Sequence, residues 1–132
     1  MSRFGQIAPA FLVADVGKTA RWYRDVLGFG FGTHPQVEPF EWASLRRDGV
    51  EIMLQRSPGY EKPDLDPFRP GGAWDAYIYV TDVDGLFAAV ADRAQVRRAP
   101  CDQPYMMREF EISDPNGYVL VFGQDISGAA AA

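Results

Sequence analysis

The residues that could do chemistry include one thiol and one imidazole, those of Cys101 and His34. A nucleophile needs a base within hydrogen-bond reach, and a cysteine nucleophile also needs a nearby cation to favour its thiolate. Cys101 has Asp102 beside it and no adjacent cation, which favours a core or strand-end cysteine. His34 stands directly before Pro35, which favours a solvated loop residue. A role for His34 as a ligand or base remains the alternative.

A pair of carboxylates, Glu109 and Glu111, lies two positions apart on a candidate strand, so both side chains point to the same face. If buried, the pair could do acid–base work. Arg108 next to it favours a solvent-exposed edge instead. The alternating glycines at 28, 30 and 32 follow a candidate helix, whereas a phosphate-binding loop precedes one. No catalytic set emerges from residue types and spacing.

Aromatic residues make up 14% of the chain, with nine Phe, six Tyr and three Trp. Most should pack in the core, but aromatic rings at a surface stack on flat ligands and attract cations by about 0.5–2 kcal/mol. Trp74 and Tyr77 lie three positions apart on a candidate strand, which predicts opposite faces. Two further candidate strands alternate so that one set of side chains in each shares a face: Phe40, Trp42, Ser44, and Glu51, Met53, Gln55.

The composition excludes several classes of protein. With 132 residues, 47% apolar and 23% charged, the chain suits a single domain with a core. No apolar run approaches the ~20 residues of a membrane helix, and the first residues lack the apolar stretch of a secretory signal. The net charge of −5 opposes nucleic-acid binding and favours a cationic ligand. We therefore expect a cytoplasmic protein with neither nucleic-acid nor membrane partners.

A weak internal repeat divides the chain into two modules, roughly residues 5–56 and 72–125. The segment Val13-Ala14-Asp15-Val16 recurs as Val80-Thr81-Asp82-Val83, and Asp48-Gly49-Val50 has a counterpart in Asn116-Gly117-Tyr118. The intervening residues 57–71 are rich in proline and predict a loop, and the small residues of 127–132 predict a frayed tail.

The same plan of elements is predicted for both modules. Each opens with a strand, at 7–13 and 74–80, and an aspartate then stands where a helix N-cap belongs, at Asp15 and Asp82. Helical spacing of apolar residues follows each cap, and Gly28 predicts the end of the first helix. Three more strands per module are predicted at 29–34, 40–47, 50–56, 96–101, 107–113 and 117–124. The fold class is therefore α+β, with a βαβββ plan used twice.

Three stretches carry a family resemblance: Asp15-Val16 with Trp22-Tyr23-Arg24-Asp25-Val26-Leu27-Gly28-Phe29, the turn Asp114-Pro115-Asn116-Gly117-Tyr118, and Gln103-Pro104-Tyr105 with Arg108-Glu109-Phe110. The first two resemble the glyoxalase/bleomycin resistance/extradiol dioxygenase (vicinal oxygen chelate) superfamily over nearly the whole chain. The third is similar to the bleomycin resistance proteins within it, although Met106-Met107 replaces a smaller spacer.

This resemblance implies paired modules whose curved mixed sheets enclose a cleft. It also implies a homodimer that exchanges its N-terminal strand near Pro9. A proline in a strand has no amide to donate and suits an edge or a crossover, so an ordinary edge proline is the alternative reading of Pro9.

The resemblance also locates the metal ligands of the enzymatic members, which are drawn from His and Glu. In this chain those positions hold Ala8, Met53, Asp75 and Val121. Only Asp75 offers a ligand for a hard or borderline ion, and one carboxylate does not hold a catalytic metal. A shift of two residues along the strand would add Glu51. A metal-dependent enzyme is therefore disfavoured, and we expect no cofactor and no catalytic residues.

For ligand binding, the resemblance implies stacking roles for Trp42 and Tyr105 and cleft-facing positions for Met53 and Gln55. Asp75 and Glu51 would supply negative charge. The sequence thus predicts a metal-free protein of the bleomycin-resistance type that sequesters a flat or cationic small molecule, such as a glycopeptide antibiotic.

Two alternatives stay open. One is a metal-dependent lyase, isomerase or dioxygenase of the same superfamily with a relocated site using Asp75, Glu51 and His34. The other is a scaffold module whose own side chains fill the cleft.

Overall fold

A computed structural model of the chain describes residues 1–128. The chain divides into two compact units, and the second begins at Pro63, inside the predicted connector 57–71. In the described part of each unit, one helix accompanies a four-stranded sheet. This architecture confirms the α+β class and the repeated βαβββ plan.

The first unit contains β1 (Ala10–Val13), α1 (Val16–Leu27), β2 (Gly30–His34), β3 (Trp42–Arg47) and β4 (Val50–Arg56). Its sheet has the order β1-β4-β3-β2, in which β1 runs parallel to β4 and the other neighbours are antiparallel. The last strand of the module therefore lies inside the sheet, next to the first.

Helix α1 begins and ends where the sequence predicts. The Asp15 carboxylate accepts a hydrogen bond from the Lys18 amide at 3.0 Å, which satisfies one of the free donors of the first turn. Gly28 ends the helix in the left-handed region, with φ at 72°, where a residue without a β-carbon is favoured. The buried helix residues Val16, Ala20, Tyr23 and Leu27 leave the opposite face of the helix to solvent.

The second unit contains β5 (Ala76–Tyr79), α2 (Val83–Val90), β6 (Gln95–Asp102), β7 (Met107–Ser113) and β8 (Val119–Asp125). Its sheet repeats the first, with the order β5-β8-β7-β6 and a parallel pair β5–β8. Phe87 of α2 packs against Phe110, and Phe110 stacks on Phe122 with ring centroids 5.0 Å apart. Because side chains alternate along β7, Glu109 and Glu111 lie on the sheet face opposite α2.

The observed elements differ from the predicted ones mainly at their ends. Strand β1 begins at Ala10 instead of residue 7, and Ile7 is exposed. Pairing at this end begins at Pro9, whose carbonyl accepts a hydrogen bond from the Met53 amide at 2.9 Å. Pro9 has no amide hydrogen and therefore donates no hydrogen bond to the sheet. Helix α2 ends at Val90, before Ala94.

Residues 129–132 of the predicted tail lie outside the described residues. No described helix has the length and apolar character needed to cross a membrane.

Candidate functional site

A buried carboxylate forms the centre of the second sheet. Glu109 on β7 has 0% of its surface exposed. The Tyr77 hydroxyl donates to its Oε2 at 2.7 Å, and the Tyr105 hydroxyl lies 2.8 Å from Oε1 and 2.7 Å from Oε2. We call Tyr77, Tyr105 and Glu109 the tyrosine–glutamate cluster. Both carboxylate oxygens have a hydrogen-bond donor, which is the condition for keeping a charge inside a protein.

The two phenols keep their protons in this environment. Desolvation, followed by the hydrogen bond to Glu109, raises the pKa of Tyr105 to about 12. The same two causes, in the same order, raise the pKa of Tyr77 above its ordinary value. Both hydroxyls therefore keep their protons at neutral pH and donate to Glu109.

Gly123 makes this cluster possible. It lies on β8 between Tyr79 on β5 and Glu109 on β7, which are its register partners. A β-carbon at Gly123 would collide with the Tyr77 hydroxyl and ring. The missing side chain therefore opens the route by which Tyr77 crosses β8 to reach Glu109.

Aromatic rings form a row beside the cluster. The ring centroids of Trp74 and Tyr77 are 5.4 Å apart, and those of Tyr77 and Tyr79 are 5.1 Å apart. Trp74 is 40% exposed and Tyr79 is 76% exposed. We call Trp74, Tyr77 and Tyr79 the aromatic platform. The prediction that Trp74 and Tyr77 lie on opposite faces is wrong, because Trp74 precedes β5 and strand alternation does not apply to it.

Glu111 is the second buried carboxylate on the same face, with 3% of its surface exposed. Its Oε2 lies 3.3 Å from Nη1 of Arg98. Within residues 1–128, however, no donor reaches that oxygen with hydrogen-bond geometry. The Nη2 atom of Arg98 instead donates to the Gly71 carbonyl at 2.6 Å. Glu111 thus has a neighbouring cation and lacks a hydrogen bond at Oε2.

The predicted solvent-exposed edge for Glu109 and Glu111 is therefore wrong. Strand β7 lies between β8 and β6, so it is internal to its sheet. Arg108, which suggested an exposed edge, turns away from the pair and binds Asp102 at 2.7 Å and Asp84 at 2.9 Å. The local sequence contains no signal for this arrangement, because the position of β7 depends on pairing with β8.

Four of the six predicted ligand-binding residues share one face of the first sheet. The register pairs Trp42 with Gln55 and Ser44 with Met53, on the face opposite α1. The Oε2 atom of Glu51 on this face accepts hydrogen bonds from Ser44 Oγ at 2.6 Å and Arg46 Nη2 at 3.0 Å. Trp42 and Met53 are half-buried, and Gln55 is exposed. We define the first-sheet face by these residues: Trp42, Ser44, Glu51, Met53 and Gln55.

The other two predicted residues belong to the second unit. Tyr105 is part of the tyrosine–glutamate cluster. Asp75 lies just before β5, and its Oδ2 accepts a hydrogen bond from the Val119 amide at 2.8 Å. Asp75 is not the register partner of Val121 on β8. That partner is Tyr77, which lies two positions further along the chain.

The donors present do not fit the metal centre that the resemblance implies for enzymatic members. Ala8, Met53 and Val121 offer no oxygen or nitrogen side-chain ligand. His34 ends β2 as an exposed residue, and it is part of the strand and not of a loop. Across residues 1–128, no group of three or more His, Cys, Asp or Glu side chains could hold a metal ion. Cys101 is exposed on β6.

Comparison with protein families identifies the fold. The profile of the Glyoxalase/Bleomycin resistance protein/Dioxygenase superfamily matches residues 3–122. The chain belongs to this superfamily. No curated protein sequence matches it at a significant level.

Solved structures of superfamily type share the fold at low identity. The bleomycin-binding protein from bleomycin-producing Streptomyces verticillus, solved with copper(II)-bleomycin, is 22% identical, with a TM-score of 0.67 over 92% of this chain and 97% of that one. A bleomycin resistance determinant encoded on the transposon Tn5 is 20% identical, with a TM-score of 0.69 over 92% and 98%. A glyoxalase-related enzyme from Clostridium phytofermentans is 15% identical, with a TM-score of 0.74 over 95% and 98%. At these identities the likeness establishes the fold alone.

Proposed function

We propose that this superfamily member is a metal-free binding protein of the bleomycin-resistance type that sequesters a flat or cationic small molecule. The observation that carries the proposal is the buried Glu109 carboxylate beside a row of partly exposed aromatic rings. Solved structures of a bleomycin-binding protein and of a bleomycin resistance determinant share this fold, which supports the proposal.

The geometry suits binding without turnover. Exposed ring faces stack on planar ligands, and a cation gains about 0.5–2 kcal/mol over such a face. Glu109 and Glu111 place two negative charges under the sheet surface, whereas Arg98 places one positive charge there. The resulting negative field favours a cation over an anion. No acid–base pair or nucleophile with a free base is required for this function.

The first-sheet face is the second surface in the proposal. Its Trp42 offers a stacking ring, and Glu51 offers a carboxylate whose side chain is 10% exposed. Met53 and Gln55 lie on the same face and complete a mixed apolar and polar lining of the kind that small-molecule sites use. A ligand role for Asp75, a homodimer and a cytoplasmic location also remain predictions.

A tryptophan-fluorescence titration with metal-free bleomycin tests the proposal. We expect saturable quenching at one ligand per subunit, weakened by salt because salt screens the attraction to an acidic site. Tyr105→Phe leaves the ring and removes a donor to Glu109, so it should weaken binding several-fold. Tyr60→Phe, a tyrosine of the first unit outside both surfaces, is the matched control.

Two results would count against the proposal. Absence of quenching would reject bleomycin as a ligand. Near-stoichiometric metal in protein purified without a histidine tag, with a ligand affinity that depends on that metal, would instead support a lyase, isomerase or dioxygenase with a relocated site.

A further inference from the structure

Glu111 presents an acceptor that the described chain leaves without a hydrogen bond. Its Oε2 is buried, and no donor among residues 1–128 completes a hydrogen bond to it. A buried carboxylate oxygen in this state is destabilising, because it has lost water and gained no donor in return. The site is therefore one donor short.

Arg98 does not supply that donor because a loop holds its guanidinium. Its Nη2 donates to the Gly71 carbonyl at 2.6 Å, whereas its Nη1 stays 3.3 Å from Glu111 Oε2 without hydrogen-bond geometry. The neighbouring Arg97 is tied to the same loop through Asp66 at 3.0 Å. The Arg98 guanidinium thus contacts both the loop, at Gly71, and the buried carboxylate of Glu111.

Glu111 and Tyr77 of the aromatic platform are both register partners of Val121, so they lie on the same face of the second sheet. Glu111 lies two positions from Glu109 on the same face, so their α-carbons are about 7 Å apart along the strand. The Arg98 side chain is 33% exposed. We expect a ligand to reach the buried Glu111 by displacing this partly exposed side chain, with its planar part on the aromatic platform.

We propose that Glu111 Oε2 accepts a hydrogen bond from a primary ammonium on a planar aromatic ligand, and that Arg98 is the internal competitor for this position. The inference rests on the proposed function and names the ligand class for the same surface. In the absence of ligand, Arg98 partly neutralises Glu111. An arriving ammonium provides both the charge and the missing donor, and it displaces the Arg98 guanidinium from Glu111.

Calorimetric titration with a matched pair of probes tests this assignment. Naphthylmethylammonium and naphthylmethanol share a planar ring and differ in charge. We expect the ammonium to bind the wild-type protein about tenfold more tightly, as a charge-assisted hydrogen bond in place of a neutral one would give. Glu111→Gln should reduce that ratio to about one, whereas Arg98→Met should increase it. Glu61→Gln, at an exposed position of the first unit, controls for the loss of one negative charge.

Glu111→Gln and Arg98→Met are expected to change the ratio of the two probe affinities in opposite directions. This difference separates a role in ligand recognition from a purely structural role. If the Glu111–Arg98 pair only stabilised the sheet, both variants would weaken the binding of both probes together. Equal affinities of the two probes for the wild-type protein would overturn this inference and leave the proposed function standing. Binding of neither probe would contradict the aromatic platform, and with it the proposed function.

Discussion

At the scale of single residues, the second sheet depends on the hydrogen bonds that the buried Glu109 side chain accepts. Two tyrosine hydroxyls donate to it, and neither carries a charge at neutral pH. Phenols satisfy the acceptor oxygens of Glu109 without bringing a cation into the site. An arginine in the place of either tyrosine would bring a positive charge to the same position.

The raised pKa of Tyr105 predicts a loss of stability in alkali. Tyrosine in the unfolded chain ionises near pH 10, whereas burial and Glu109 raise the pKa of Tyr105 to about 12. The folded state therefore holds a proton that the unfolded state has released. The contribution is fully present below about pH 10 and is lost as the pH rises toward about 12.

Urea unfolding at a series of pH values measures this effect. The free energy of unfolding of the wild-type protein should fall more steeply across this window than that of Tyr105→Phe. Tyr60→Phe should behave like the wild type. Parallel curves for the wild type and Tyr105→Phe would contradict the environment described for this hydroxyl.

At the scale of elements, the crossing of β8 by Tyr77 depends on Gly123. We expect Gly123→Ala to lower the free energy of unfolding by about 1–3 kcal/mol, because the added methyl group occupies space that the Tyr77 ring now fills. Chemical denaturation measures the change. Gly32→Ala is the matched control, since Gly32 is also in a strand and a β-carbon there meets nothing within 4 Å.

A double variant identifies the cause of that loss. In a Tyr77→Ala background the ring is gone, so Gly123→Ala should cost little. The two changes should therefore be strongly non-additive. Additive effects would mean that Gly123 matters for the backbone of β8 and not for the passage of Tyr77.

Most of the elements could be predicted from the sequence because their signals are local. Asp15, Asp82 and Gly28 mark helix ends through hydrogen bonds and backbone angles within a few residues of themselves. The burial of Glu109 and the contact between Trp74 and Tyr77 could not be predicted in the same way. The first depends on which strand pairs with which, and the second on where β5 begins, and local spacing contains neither piece of information.

At the scale of the whole molecule, the predicted homodimer can be tested through the N-terminal segment. Phe4 is 101% exposed and Ile7 is 94% exposed. Apolar side chains presented in this way favour burial against a partner. Sedimentation velocity should find a dimer for the full chain and a monomer after removal of residues 1–8. A monomeric full chain would contradict the proposed strand exchange near Pro9.

The strand order has a consequence for synthesis on the ribosome. In each module the last strand made lies between the first strand and the rest of the sheet, as β4 does beside β1 and β8 beside β5. A nascent chain that lacks β8 leaves β5 with no neighbour in its sheet and Glu109 without the strand that Tyr77 must cross. All four strands of the first sheet have been made by Arg56, while the second module is still being translated. The second, with its buried charge, closes only once residues 119–125 have left the exit tunnel.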